Sequence, residues 1–167
     1  MKWILLLLFP VVAVNSYSQQ VKSYQQEPPY KQHPTLPPLE LLQPDSNKLT
    51  NADLKKQPTL IMYFSPDCEH CIKQMEEMNT RMQDFQKIQI VLVTNQPMEQ
   101  LVNFIAKYKL AAYPNIKPGR DVKFTLPGFY QMKSLPYFAL YDKKGNLITT
   151  FESNTKVDKI LKAFGKN

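Results

Sequence analysis

Two continuous apolar runs of strand length, Thr59-Leu60-Ile61-Met62-Tyr63-Phe64 and Ile88 to Val93, bracket a segment with a different rhythm. Between them Ile72, Met75, Met78, Met82 and Phe85 recur every three or four residues. Unbroken apolar runs fit strands buried on both faces. The intervening spacing gives one apolar stripe of a helix, with methionines as adaptable core filler rather than metal ligands. A strand-helix-strand unit of this length yields a parallel strand pair, because the crossover returns the second strand in the same direction.

The rest of the chain extends this unit. Leu36 to Leu42 reads as a short edge strand, and Pro44-Asp45-Ser46-Asn47 as a turn. Thr50 or Asn51 is placed to cap a single helical turn through Lys56. Pro97 marks a helix start, followed by Leu101, Phe104, Ile105 and Tyr108 at helical spacing. Residues 110–133 are broken by Pro114, Pro118, Gly119 and Pro127-Gly128, and are expected to hold a short strand or turn and a short helix. Tyr137 to Tyr141 and Leu147 to Phe151 flank the turn Asp142-Lys143-Lys144-Gly145-Asn146 and read as a β-hairpin. Thr155 is the expected cap of a final helix with Val157, Ile160, Leu161 and Phe164 on its apolar stripe. The expected fold is α/β: a small mixed sheet flanked by helices, with an N-terminal edge hairpin and a central insert.

The N-terminus reads as an export signal. Lys2 precedes the apolar run Ile4 to Val14, which is short for a bilayer span and interrupted by Pro10. Ser16 and Ser18 are small residues at a cleavage spacing, so residues 1–18 are expected to be removed after Ser18, leaving no transmembrane segment in the mature chain. Residues 19–35, rich in Gln, Pro and Tyr, read as a flexible lead-in, and residues 36–167 as the domain. The formal net charge is +7, but the lysines are dispersed. That pattern fits a solvated surface, and no basic stripe interleaved with aromatics points to nucleic acid.

The chain has two cysteines, and both stand in Ser65-Pro66-Asp67-Cys68-Glu69-His70-Cys71. A structural disulfide would close a loop too short to stabilise much, roughly 2 kcal/mol against about 3 for a 15-residue loop. A zinc site lacks ligands, since His33 and His70 are the only histidines. A two-thiolate copper(I) site stays open as a non-enzymatic alternative. The third reading is thiol–disulfide exchange. The pair follows a buried strand and opens a helix, so Cys68 meets unpaired backbone N–H groups and the positive end of the helix dipole, which favour the attacking thiolate. Protonated His70 adds to that effect, whereas Glu69 opposes it. Cys71, one turn on, is placed to resolve a mixed disulfide formed at Cys68. The cycle runs in either direction, so the oxidant or isomerase alternative stays open.

The segments LELLQPDSNKLTNADLKKQPTLIMYFSPDCEHC, LVNFIAKYKL and FYQMKSLPYFALYDKKGNLITTF together resemble the thioredoxin superfamily, in particular the exported TlpA-like thiol–disulfide oxidoreductases. The resemblance implies a thioredoxin-like fold, with Cys68 as nucleophile and Cys71 as resolving cysteine. It implies a cis peptide bond from Leu135 to Pro136, beside the pair, with the Leu135 backbone open to a substrate strand. It further implies a monomeric periplasmic protein without a bound cofactor, acting on the disulfides or dithiols of exported proteins and fed by a membrane thiol–disulfide donor, with a lean towards reduction. The departures are local. Asp67 stands where many relatives have Trp, and adds negative charge near Cys68. Met62 stands where thioredoxins carry a buried acid, and Gln74 where TlpA-like reductases often have Glu. A peroxidase of the peroxiredoxin type is a related alternative. It is disfavoured by Ile61, which replaces the proline of that motif, and by Arg81 and Arg120, neither of which is clearly placed for a cysteine.

Overall fold

The computed structural model describes residues 27–165. The expected signal peptide, its cleavage point and the first part of the lead-in lie outside the described residues. Seven strands form one mixed sheet: β1 (Glu40–Leu42), β2 (Lys48–Thr50), β3 (Thr59–Tyr63), β4 (Gln89–Thr94), β5 (Ile116–Arg120), β6 (Tyr137–Tyr141) and β7 (Leu147–Glu152). Their spatial order is β2-β1-β5-β4-β3-β6-β7. Five α-helical segments accompany them among the described residues: α1 (Pro29–Gln32), α2 (Glu69–Thr80), α3 (Met98–Lys107), α4 (Thr125–Tyr130) and α5 (Val157–Ala163).

β3 lies near the middle of the sheet, parallel to β4 and antiparallel to β6. Every one of its residues is buried, which accounts for a run without polar alternation. Alternation survives as a choice of face. Leu60, Met62 and Phe64 join the cluster built with α2, α3 and α5, while Ile61 and Tyr63 join the cluster built with α4. Met75 and Met78 of α2 are buried against the first face, and each contributes about 1.5–3 kcal/mol by leaving water. The methionine stripe continues past the end of α2 into a 3₁₀ turn over Met82–Phe85.

The N-terminal hairpin is present, but β2 rather than β1 is the outer strand, because β1 also pairs with β5 at Leu42–Arg120. The broken region 110–133 contains both an inner strand, β5, and α4. Pro118 and Gly119 sit inside β5, residues that ordinarily argue against an inner strand. Here β1 pairs β5 at one residue pair only, so the missing Pro118 donor is tolerated on that side. Gly119 is needed for contact: a Cβ there would lie 2.7 Å from Leu41 Cβ.

The described part of the lead-in is structured. Residues 29–32 form a helical turn, Leu147 N–H donates to Pro34 O, and Tyr30 packs on Tyr130 with ring centroids 5.8 Å apart. Its anchor is an aromatic contact that no local periodicity announces. At the other end, Lys156 rather than Thr155 caps α5. The Thr155 hydroxyl donates instead to Ser153 O at 3.2 Å, while its backbone is held by α2, as described below.

Candidate active site

β3 carries the chain to the C-terminal edge of the sheet, where Phe64 N–H still donates to Val93 O at 2.9 Å. The next residues turn. Cys68 N–H donates to Ser65 O at 3.2 Å, and α2 starts with Cys68 as its N-cap, in extended conformation. Ile72 N–H closes the first helical turn on Cys68 O at 2.9 Å. Cys68 is half-buried, and Cys71 is buried. Both are free thiols. The Cys68 side chain and the Ser65 backbone N–H are both close enough to act on the Cys71 thiol. Burial is the main reason that the Cys71 thiol is pushed up to about 12; the neighbouring Cys68 and the Asp67 charge push the same way, and the Ser65 N–H opposes them. The pair is therefore asymmetric, with Cys68 half-exposed and Cys71 buried and held protonated.

Each of the expected charge neighbours has a partner other than a cysteine. Asp67 accepts from Ser65 Oγ. Glu69 pairs with Lys73 at 3.7 Å on the exposed helix surface. His70 Nδ1 donates to Asn154 Oδ1 at 2.9 Å, while Asn154 Nδ2 donates to His70 O at 2.7 Å. The Leu135–Pro136 peptide bond is cis. It immediately precedes β6, whose first residue Tyr137 pairs with Tyr63, the last residue of β3. That register sets Pro136 beside the end of β3 from which the cysteine loop leaves. Leu135 is partly buried and packs against both core clusters.

A polar stripe of α2 ties the helix to the entry of α5. His70, Gln74, Glu77 and Arg81 follow one another at helical spacing and bind four of the five residues from Asn154 to Asp158. His70 holds Asn154. Gln74 is fully buried; its Nε2 donates to Thr155 O at 2.9 Å, and its Oε1 accepts Thr155 N–H at 2.7 Å. Glu77 accepts the Val157 N–H at 3.0 Å, and Arg81 pairs with Asp158. Glu77 thus supplies an acceptor at the N-terminus of α5, where backbone N–H groups lack helical partners. The signal was present as a polar stripe beside the methionine stripe, but its partners lie some eighty residues away. Gln74, notable in the sequence as a missing carboxylate, is a clasp between α2 and the entry to α5.

The features of a peroxidatic site are not assembled among the described residues. Ile61 is buried within β3. Arg81 is engaged by Asp84 and Asp158 beyond the far end of α2, and Arg120 Nε donates to Asn95 O at 3.3 Å. No group of three or more His, Cys, Asp or Glu side chains suited to a metal ion occurs among the described residues.

The AhpC/TSA family model matches residues 34–163. The chain belongs to the AhpC/TSA family. Within its wider superfamily the solved structures share the fold at low identity. The exposed lipoprotein thioredoxin Etrx1 of Streptococcus pneumoniae is 20% identical, with a TM-score of 0.61 over 77% of this chain and 98% of that one. A secreted disulfide oxidoreductase of Mycobacterium tuberculosis, homologous to E. coli DsbE, is 16% identical, with a TM-score of 0.61 over 76% and 94%. A thioredoxin-like protein of Aeropyrum pernix is 14% identical, with a TM-score of 0.63 over 77% and 88%. No curated protein sequence matches the chain. The AhpC/TSA chain has the thioredoxin-like mixed sheet flanked by helices. Its fold and cysteine pair support redox chemistry of the broad thioredoxin type. No helix among the described residues is long and apolar enough to cross a membrane.

Proposed function

We propose that the protein is an exported thiol–disulfide oxidoreductase that reduces disulfides of other exported proteins. The observation that carries this reading is the asymmetry of the pair: Cys68 half-exposed at the helix N-cap and Cys71 buried one helical turn later. The Cys68 thiolate attacks one sulfur of a substrate disulfide. A Cys68–substrate bond forms, the substrate S–S bond breaks, and one substrate thiolate leaves. Cys71 then gives up its proton to that thiolate or to water and attacks Cys68. The Cys68–Cys71 bond forms as the second substrate thiolate departs. The substrate has gained two electrons and the protein has lost two, to be restored by a dithiol donor. The high position of the Cys71 thiol keeps it protonated until Cys68 has reacted, which protects the pair from side reactions.

The Leu135 backbone beside the cis-proline is the proposed contact for an extended substrate segment. The periplasmic location, the membrane donor and the monomeric state belong to the same reading, which is supported by the apolar N-terminal run and by a fold shared with secreted relatives.

The test is a redox titration of residues 19–167 in glutathione buffers, with thiols trapped by alkylation. A potential near or below about −230 mV supports a reductase, and one near about −120 to −180 mV overturns that direction in favour of an oxidant or isomerase. Cys68→Ser is expected to abolish exchange; full activity in that variant would remove Cys68 from the role of nucleophile.

A further inference from the structure

Beside Cys68, the loop residues Pro66 and Asp67 and the helix α3 border a shallow, open cleft of about 250 Å³. Its other wall is Gln100, Asn103, Phe104 and Lys107. These four stand at i, i+3, i+4 and i+7, so a single stripe of α3 forms the wall. Phe104 is buried and fixed, its ring centroid 4.5 Å from that of Phe64 and 4.7 Å from that of Tyr108. The cleft is smaller than the roughly 300–1,000 Å³ typical of small-molecule pockets. Its size suits a side chain or two of a polypeptide.

The polar groups of this wall are uncommitted. Among the described residues the side-chain amides of Gln100 and Asn103 make no hydrogen bond, and the Lys107 ammonium makes no ion pair. Lys107 lies instead over the Tyr108 ring, 5.1 Å from its centroid. The lining carries one charge of each sign: Asp67, which keeps its charge while accepting from Ser65 Oγ, on the loop side, and Lys107, its one cation, on α3. Lys107 stands at the end of a row of amides that can bond a peptide.

We propose that this cleft docks the segment of a protein substrate next to its reacting cysteine, and that Lys107 selects a Glu or Asp within that segment. The inference rests on the thiol–disulfide reading above. From Gln100 to Lys107 the helix rises about 10 Å, which corresponds to about three residues of extended chain. The acidic residue is accordingly expected about three positions from the substrate cysteine.

The experiment is single-turnover oxidation of pre-reduced protein by short peptides whose cysteine is blocked as a mixed disulfide with 2-mercaptoethanol. Three peptides differ only in Glu, Gln or Lys at the third position from cysteine. Each rate is divided by the same protein's rate with uncharged hydroxyethyl disulfide, so that general changes in thiol reactivity cancel. The Glu peptide is expected to react about fivefold faster than the Lys peptide at low salt, the size of an exposed ion pair replaced by a repulsion, and the ratio shrinks in high salt. Lys107→Glu inverts the order. Lys87→Glu, an equal charge change beyond the far end of α2, keeps it. Equal rates for the three peptides, or an equal loss of preference in both variants, overturns the docking inference alone. Absence of reaction with every disulfide overturns the thiol–disulfide reading and the docking inference with it.

Discussion

Gln74 carries two hydrogen bonds across the interior, and replacing it in two ways separates geometry from charge. Its Nε2 donates to Thr155 O at 2.9 Å, and its Oε1 accepts from Thr155 N–H at 2.7 Å, with the whole side chain buried. Gln74→Ala leaves one backbone donor and one acceptor without partners. Each such buried group costs about 1–3 kcal/mol, so the loss is about 2–6 kcal/mol. Gln74→Glu has nearly the same shape but adds a titration. A protonated carboxyl donates O–H to Thr155 O and accepts the Thr155 N–H, so both bonds survive. The ionised carboxylate has no donor for the carbonyl and is stripped of water. The folded-state pKa of the introduced acid is therefore raised above its ordinary value of about 4.3. A raised acid leaves stability intact below the unfolded pKa and costs stability as pH rises towards the folded one. A rise of about three units corresponds to about 4 kcal/mol. Urea unfolding followed by circular dichroism, with wild type measured beside the variant at each pH, reads this directly. Gln74→Glu is expected within about 1 kcal/mol of wild type near pH 4 and about 4 kcal/mol less stable near pH 8. A pH-independent difference, or Gln74→Ala with wild-type stability, refutes the clasp.

Two further predictions concern the cysteine pair and the contact between β1 and β5. A thiol at about 12 rather than at the ordinary 9 has a thiolate fraction near pH 8 lowered about 1,000-fold. Iodoacetamide should therefore add once to native reduced protein, at Cys68, and twice only after unfolding; mass spectrometry showing equal native labelling of both cysteines would defeat the assigned asymmetry. Gly119→Ala places a Cβ 2.7 Å from Leu41 Cβ, an atom fixed to the β1 backbone. The variant should lose about 1–3 kcal/mol, as overpacked sites do, and an unchanged melting temperature would show that β1 yields freely.

The central part of this fold was legible because its signals are local. β3 and β4 are read from unbroken apolar runs, which only a doubly covered strand can bury, and α2 from a stripe of methionines at helical spacing. The cysteine pair was legible because strand, turn and helix start are consecutive in the chain, so position alone put Cys68 at a helix N-terminus. The hairpin of β6 and β7 was announced by its turn. The tertiary structure decided what depends on distant partners. Pro118 and Gly119 break the strand pattern of β5, yet β5 lies inside the sheet because β1 approaches it at Gly119 and pairs it only at Arg120. Tyr30 is anchored by Tyr130, a hundred residues away. The partners of His70, Gln74, Glu77 and Arg81 lie in the entry to α5, and the cleft beside Cys68 exists only because α3 packs along the loop that bears it. Periodicity tells a residue which face of its own element it occupies. What that face meets is set by how the sheet stacks its helices, and no local pattern records it.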